Sequence, residues 1–189
     1  MSLEVDVTKT ALVVIDLQHG IVGRPGLAPH SGNEVVERSR KLADALRAKG
    51  GTVVWVHVLM AETLRLPADE APRIPGEIPP QASELVPEIG LQSGDFVIAK
   101  RQWGAFYGTN LEQTLDRRGV ETVIMAGIAT NIGVESTARA AYDAGYALVF
   151  AEDAMTTMSH EWHEFAVKNV FPRMGKVRTT AEIVAAIVA

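Results

Sequence analysis

The chain has 189 residues, a formal net charge of −5 and no cysteine, a length that suits one domain spanning residues 1–189 and large enough to bury a core without staples. An acidic balance without basic blocks argues against a nucleic-acid partner or an anionic membrane surface, and no apolar run approaches the ~20 residues of a membrane span. The missing cysteines exclude disulfides, thiolate zinc sites and thiol catalysis, and together with a start (Met1 to Lys9) that lacks a signal-peptide core they make the chain read as cytoplasmic.

The first element is the apolar run Ala11 to Ile15, ending at Asp16. Its unbroken β-branched character is that of a strand buried on both faces. Ser31 to Lys49 reads as a helix with Val35, Ser39, Leu42 and Leu46 on one stripe, stopped by Gly50-Gly51. Thr52 to Val58 is the second strand. Residues 60–94 show no clear period and hold six of the nine prolines. A loop this long is read as a lid or a subunit contact, with a short helix hidden between Pro80 and Ile89.

Asp95 to Ala99 is a third strand, followed by Lys100. A helix is expected from Thr109, where Thr109 and Glu112 have capping-box spacing. Glu121 to Ala126 is the fourth strand, and the turn Gly127 to Gly133 leads into a helix ending near Ala144. Ala147 to Phe150 is the fifth strand. Ser159 is expected to cap a helix on which Trp162, Phe165, Ala166, Asn169 and Val170 share a face. Gly175 to Arg178 reads as a short edge strand, and Thr179 with Glu182 as the capping box of a last helix with apolar Ile183, Val184, Ile187 and Val188. Alternation of strands and helices implies an α/β fold, a parallel sheet with helices on both faces.

Open parallel sheets bind ligands beyond the carboxyl ends of their strands. Asp16, Lys100 and the Gly127–Gly133 turn all stand at such ends, and together they form a candidate site. Dinucleotide, Walker A and G-x-S-x-G signatures are absent. His160 and His163 are one residue short of metalloprotease spacing and read as a polar helix face. His57 reads as a satisfied strand histidine, and His19 and His30 as loop residues near Asp16. Trp103, Phe106 and Tyr107 are read either as pocket wall or as packing against the next helix or a subunit. Arg101 and Arg139 are candidate partners for substrate carboxylates, Arg139 more readily as a structural ion pair.

Three segments carry a resemblance: Ala11-Leu-Val-Val-Ile-Asp-Leu-Gln18, Lys100-Arg-Gln-Trp-Gly-Ala-Phe-Tyr-Gly-Thr-Asn-Leu111, and the stretch Ala126 to Tyr146 that contains Thr130-Asn-Ile-Gly-Val-Glu-Ser-Thr-Ala-Arg139. In order and over nearly the whole chain they resemble the isochorismatase-like, or cysteine hydrolase, superfamily, and in particular its YecD-type branch. The resemblance implies a Rossmann-like three-layer α/β/α fold with a six-stranded parallel sheet in order 3-2-1-4-5-6. It also implies a homo-oligomer (dimer or tetramer), a cis peptide joining Ile128 to Ala129, and an Asp–Lys–Cys triad. Asp16 matches the aspartate and Lys100 the lysine. The cysteine position falls on Gly133. Gln18, Trp103, Phe106, Tyr107, Ile128, Ala129, Thr130 and Ile132 correspond to the substrate-binding surroundings. No metal and no cofactor are implied, because the histidine set of nicotinamidases is replaced by His57-Val-Leu-Met-Ala-Glu62.

With glycine at position 133 the thiol route is closed. The resemblance supplies a precedent in the isochorismatases, which also carry glycine there and hydrolyse a vinyl ether by protonating carbon and adding water. By that analogy Asp16 is the general acid, and Lys100 binds the anionic substrate and sets the proton affinity of Asp16. The turn of this chain, Ile128-Ala-Thr-Asn131, departs from the more aromatic turn of that branch. Two alternatives accompany this reading: a silent family member serving as a binding or assembly module, and a hydroxyl-nucleophile amidase using Ser136 or Thr130.

Overall fold

The computed structural model describes residues 3–64, 66–70 and 76–188. Its strands are β1 (Thr10–Ile15), β2 (Thr52–Val58), β3 (Phe96–Lys100), β4 (Thr122–Ile128), β5 (Ala147–Thr156) and β6 (Gly175–Arg178). Its helices are α1 (His19–Val22), α2 (Gly32–Ala48), α3 (Leu111–Arg117), α4 (Glu135–Asp143), α5 (His160–Phe165) and α6 (Thr180–Val188). All strand pairs are parallel, in the order β3-β2-β1-β4-β5-β6.

The apolar runs are explained by what covers them. Along β1, Ala11, Val13 and Ile15 face a core closed by α3, α4 and residues 166–171, whereas Leu12 and Val14 face a second core closed by α2 and α6. A strand covered on both faces has no position where water would accept a polar side chain. Strands β2 and β4 alternate in the same way. Helix α2 is held at its start by a complete capping box between Ser31 and Glu34, and its stripe Val35, Ser39, Leu42 and Leu46 is buried.

Several expected boundaries move. Strand β5 runs six residues beyond Phe150, to Thr156, where Met155 and Thr156 pair with Gly127 and Ile128 of β4. Helix α3 starts at Leu111 without a side-chain cap. Thr109 Oγ1 instead accepts from the Leu111 amide (3.1 Å), so the expected pairing with Glu112 is absent. Ser159 occupies the cap position of α5 but makes no capping bond. The Thr179–Glu182 box is formed. The expected shared face divides: Trp162 and Phe165 are exposed, whereas Ala166 is buried together with His163 and Val167. In the proline-rich region, short 3-10 turns stand at Met60–Glu62, Pro80–Ser83 and Pro87–Ile89. The part of the lid-or-contact expectation that falls on positions 65 and 71–75 lies outside the described residues. Among the described residues, no helix is long and apolar enough to cross a membrane.

Candidate active site

The carboxyl ends of β1, β3 and β4 bring the three candidate positions together. Asp16 follows β1 with φ of 56°, a left-handed conformation that few non-glycine residues adopt. Its amide donates to the Val56 carbonyl (2.8 Å), which fixes the carboxyl group over the strand end. Lys100 reaches across the end of β2 to Asp16. Its Nζ donates to Asp16 Oδ2 (2.8 Å), to the Gln102 carbonyl (3.1 Å) and to the Trp103 carbonyl (2.9 Å). Lys100 is 2% exposed and Asp16 5%.

This arrangement corrects one expectation. An ammonium group has three protons, and here all three are taken inside the protein, so Lys100 has none for a substrate anion. Its place is beside Asp16 as an electrostatic partner. The other half of the pair is unbalanced in the opposite sense, because Asp16 Oδ1 is buried with no hydrogen-bond partner. Burial pushes the Asp16 carboxyl up to about 6, against the lowering pull of Lys100 and of His57. The two influences compete, and desolvation prevails because the group is almost fully removed from water.

Gly133 stands next to this carboxyl. A Cβ built on it would lie 3.5 Å from Asp16 Oδ2, 3.4 Å from the Trp103 carbonyl and 3.0 Å from Ile15 Cγ2. A side chain there would therefore point at the Asp16–Lys100 pair. The turn reaches this place because β4 passes close to β1 at Gly127, whose φ is 112° and whose Cβ, if present, would overlap the Ile15 carbonyl. The Ile128–Ala129 peptide is cis. The Ala129 carbonyl accepts from the amides of Ile132 and Val134, both at 3.1 Å.

The remaining candidates divide. Gln18 is engaged within the protein. Its Nε2 donates to the carbonyls of Val58 and Ala82, and its Oε1 accepts from the Val58 amide. Fully buried, it ties the end of β1 to β2 and to the Pro80–Ser83 turn. Trp103 and Tyr107 are exposed, and Phe106 packs against Tyr146. Ile128 is buried in the α2-side core with Ala129 packed against it, and Ile132 is half-buried. Arg101 pairs with Glu62, and Arg139 with Glu135.

The hydroxyls of Thr137 and Thr130 are also committed. Thr137 Oγ1 donates to the Gly133 carbonyl (2.7 Å) and accepts from the Ala105 amide (3.1 Å). Thr130 is fully buried, its Oγ1 2.9 Å from His163 Nδ1. A hydroxyl with no exposed surface is a poor nucleophile, and that pair reads as a brace. Asn131 is tied to the same side through Thr157 Oγ1 (2.7 Å). The reading of His160 and His163 as a polar face is thus wrong for His163. This imidazole is 5% exposed, lies edge-on to His30 at 6.2 Å, and is driven down to about 4, chiefly by burial. Its role was missed because i,i+3 spacing on a short helix does not say which face turns inward. His30 lies beside His163 and Thr156, and His19 is exposed. His57 is half-buried with Nδ1 2.7 Å from the Ser83 carbonyl. Among the described residues, no group of three His, Asp or Glu is placed to hold a metal ion.

Comparison with known proteins accords with this geometry. The isochorismatase domain model matches residues 10–182. The chain is 49% identical to the isochorismatase family protein YwoC of Bacillus subtilis, covering 96% of this chain and 95% of that one. It is 46% identical to YecD of Escherichia coli O157:H7, covering 98% and 100%. A ureidoacrylate amidohydrolase, RutB of Azorhizobium caulinodans, is 26% identical over 95% of this chain and 91% of its own. Among solved structures, an isochorismatase family protein from Burkholderia thailandensis superimposes with a TM-score of 0.91 at 42% identity, covering 100% of this chain and 98% of that one.

Proposed function

The chain belongs to the isochorismatase family, and on that premise we propose that it is a thiol-independent hydrolase of a small anionic metabolite, with Asp16 as the acid. The observation that carries this reading is the state of Asp16. A buried carboxyl raised to about 6 holds a proton in part of the molecules near neutral pH, and its Oδ1 has no hydrogen-bond partner inside the protein. The opposing pulls on a general acid next to a lysine are reconciled by burial.

The chemistry that suits such a group is hydrolysis of a vinyl ether. Asp16 transfers its proton to the terminal carbon of the double bond, and the adjacent carbon becomes an oxocarbenium centre. Water adds to that carbon and returns a proton to Asp16. The resulting hemiketal breaks its C–O bond, leaving a ketone and an alcohol. No nucleophilic side chain is required, consistent with glycine at position 133. Lys100 holds Oδ2 and the 102–103 backbone, so that Oδ1 remains the transferring oxygen.

The test is a hydrolysis panel containing anionic vinyl ethers beside amides and ureido acids. Turnover of a vinyl ether that is lost in Asp16→Asn, with the variant still folded, supports the reading. Turnover that survives Asp16→Asn overturns it. Ligand-induced thermal stabilisation without turnover across the panel would favour the binding-module alternative. A homo-oligomer is part of the same proposal, to be checked by light scattering.

A further inference from the structure

Which charge state of Asp16 receives the ligand follows from how the donors around it are distributed. Lys100 spends its three protons on Asp16 Oδ2 and the carbonyls of Gln102 and Trp103. From β2 the group facing Asp16 is His57, whose Nδ1 is engaged with the Ser83 carbonyl. The turn after β4 brings Gly133, without a side chain, and the loop after β3 brings the Trp103 carbonyl. The two arginines considered for substrate binding are engaged by Glu62 and Glu135. Against this stands one buried acceptor with nothing to accept, Asp16 Oδ1.

An ionised Asp16 would set a carboxylate oxygen against the oxygens of an incoming anion, acceptor against acceptor, with Lys100 already neutralised. A proton on Oδ1 reverses both conditions. The oxygen becomes a donor, and the Lys100 charge is left uncompensated. We propose that the site takes a small carboxylate only together with a proton, Asp16 Oδ1–H donating to the carboxylate while Lys100 stays bonded to Oδ2. The inference rests on the proposed function for the identity of the site, and it adds that binding and protonation are one event.

The test uses acetate and benzoate, with acetamide and benzamide as neutral isosteres, in isothermal titration calorimetry of the intact protein. With Asp16 titrating at about 6, carboxylate affinity should fall roughly 80-fold between pH 5.5 and pH 8. At pH 8, measurements in two buffers of different ionisation enthalpy should show uptake of about one proton. The amides should bind without this slope. Asp16→Asn, which keeps a permanent N–H donor and tolerates the left-handed backbone, should bind carboxylates without pH dependence. His57→Gln should retain the slope. Constant carboxylate affinity across the range, no proton uptake, no carboxylate binding at pH 5.5, or a slope that follows His57 instead of Asp16 would each overturn the proposal. Turnover that depends on Asp16 but is accompanied by pH-independent binding would overturn this inference alone and leave the hydrolase reading standing.

Discussion

Replacing Lys100 by methionine, which keeps the length and apolar character of the side chain while deleting the ammonium, isolates what the ion pair contributes. Three hydrogen bonds disappear, at 2.8, 3.1 and 2.9 Å, and the oxygens they satisfied remain buried. Removing one partner of a buried pair costs about 3–5 kcal/mol, most of it from the charge left behind. Asp16 can limit that cost by binding a proton. In the wild type, burial already lifts Asp16 to about 6 against the pull of Lys100; with that pull gone, desolvation acts unopposed and the carboxyl rises further. The loss relative to wild type should therefore be smaller at pH 5, where both proteins carry a protonated Asp16, and reach the full ~3–5 kcal/mol at pH 8. Urea unfolding of both proteins at the two pH values measures the difference, and groups elsewhere in the chain cancel in it. A loss below about 1 kcal/mol at pH 8, or one equal at both pH values, would refute the reasoning.

The remaining predictions concern the same end of the sheet. Asp16 and His163 act on stability in opposite senses. Asp16, raised to about 6, favours the folded state fully below its ordinary value of 3.8, and that contribution is lost as pH rises through 6. His163, lowered to about 4, contributes above its ordinary 6.5, and that contribution is lost as pH falls. Each term amounts to as much as about 3 kcal/mol. Denaturation between pH 4 and 6.5 should therefore show stability rising more steeply with pH in Asp16→Asn than in wild type, and less steeply in His163→Gln; parallel curves for all three would contradict the assignment. Gly133→Cys should fold with a cost of about 1 kcal/mol or less, since only Ile15 Cγ2 is tight against the new Cβ. Its thiol should be alkylated by iodoacetamide at a rate that depends on Asp16, and amide hydrolysis gained by this variant would mark the site as a triad lacking one member. Gly127→Ala should cost more than ~3 kcal/mol, because a Cβ at φ of 112° runs into the backbone of Ile15. Soluble yield and thermal unfolding measure this, and near-wild-type stability would show that β4 can shift away from β1.

Strand runs such as Ala11–Ile15 and Thr52–Val56 carry their fold in their composition. Continuous apolar β-branched chain has few alternatives to a sheet covered on both faces, and the glycines and caps between runs space the helices that cover it. Asp16, Lys100 and the Gly127–Gly133 turn were legible for a related reason, as each stands at the carboxyl edge of such a sheet; Gly133 itself was marked out only by the family resemblance. What those groups do to one another was not legible. Sequence spacing does not count protons, and only the folded chain shows that the Gln102 and Trp103 carbonyls exhaust the Lys100 ammonium. Nor does it reveal that Oδ1 of Asp16 is left without a partner. Gln18 was assigned to substrate on a motif, and the structure gives it to backbone groups 40 and 64 residues away. His163 looked solvated on its own helix and is buried by residues of two other segments. The residue types thus determined the layers and the edge at which chemistry is placed. Burial and hydrogen-bond satisfaction depend on neighbours distant in sequence, so tertiary structure alone decided the raised proton affinity of Asp16 and which polar groups are left without a partner.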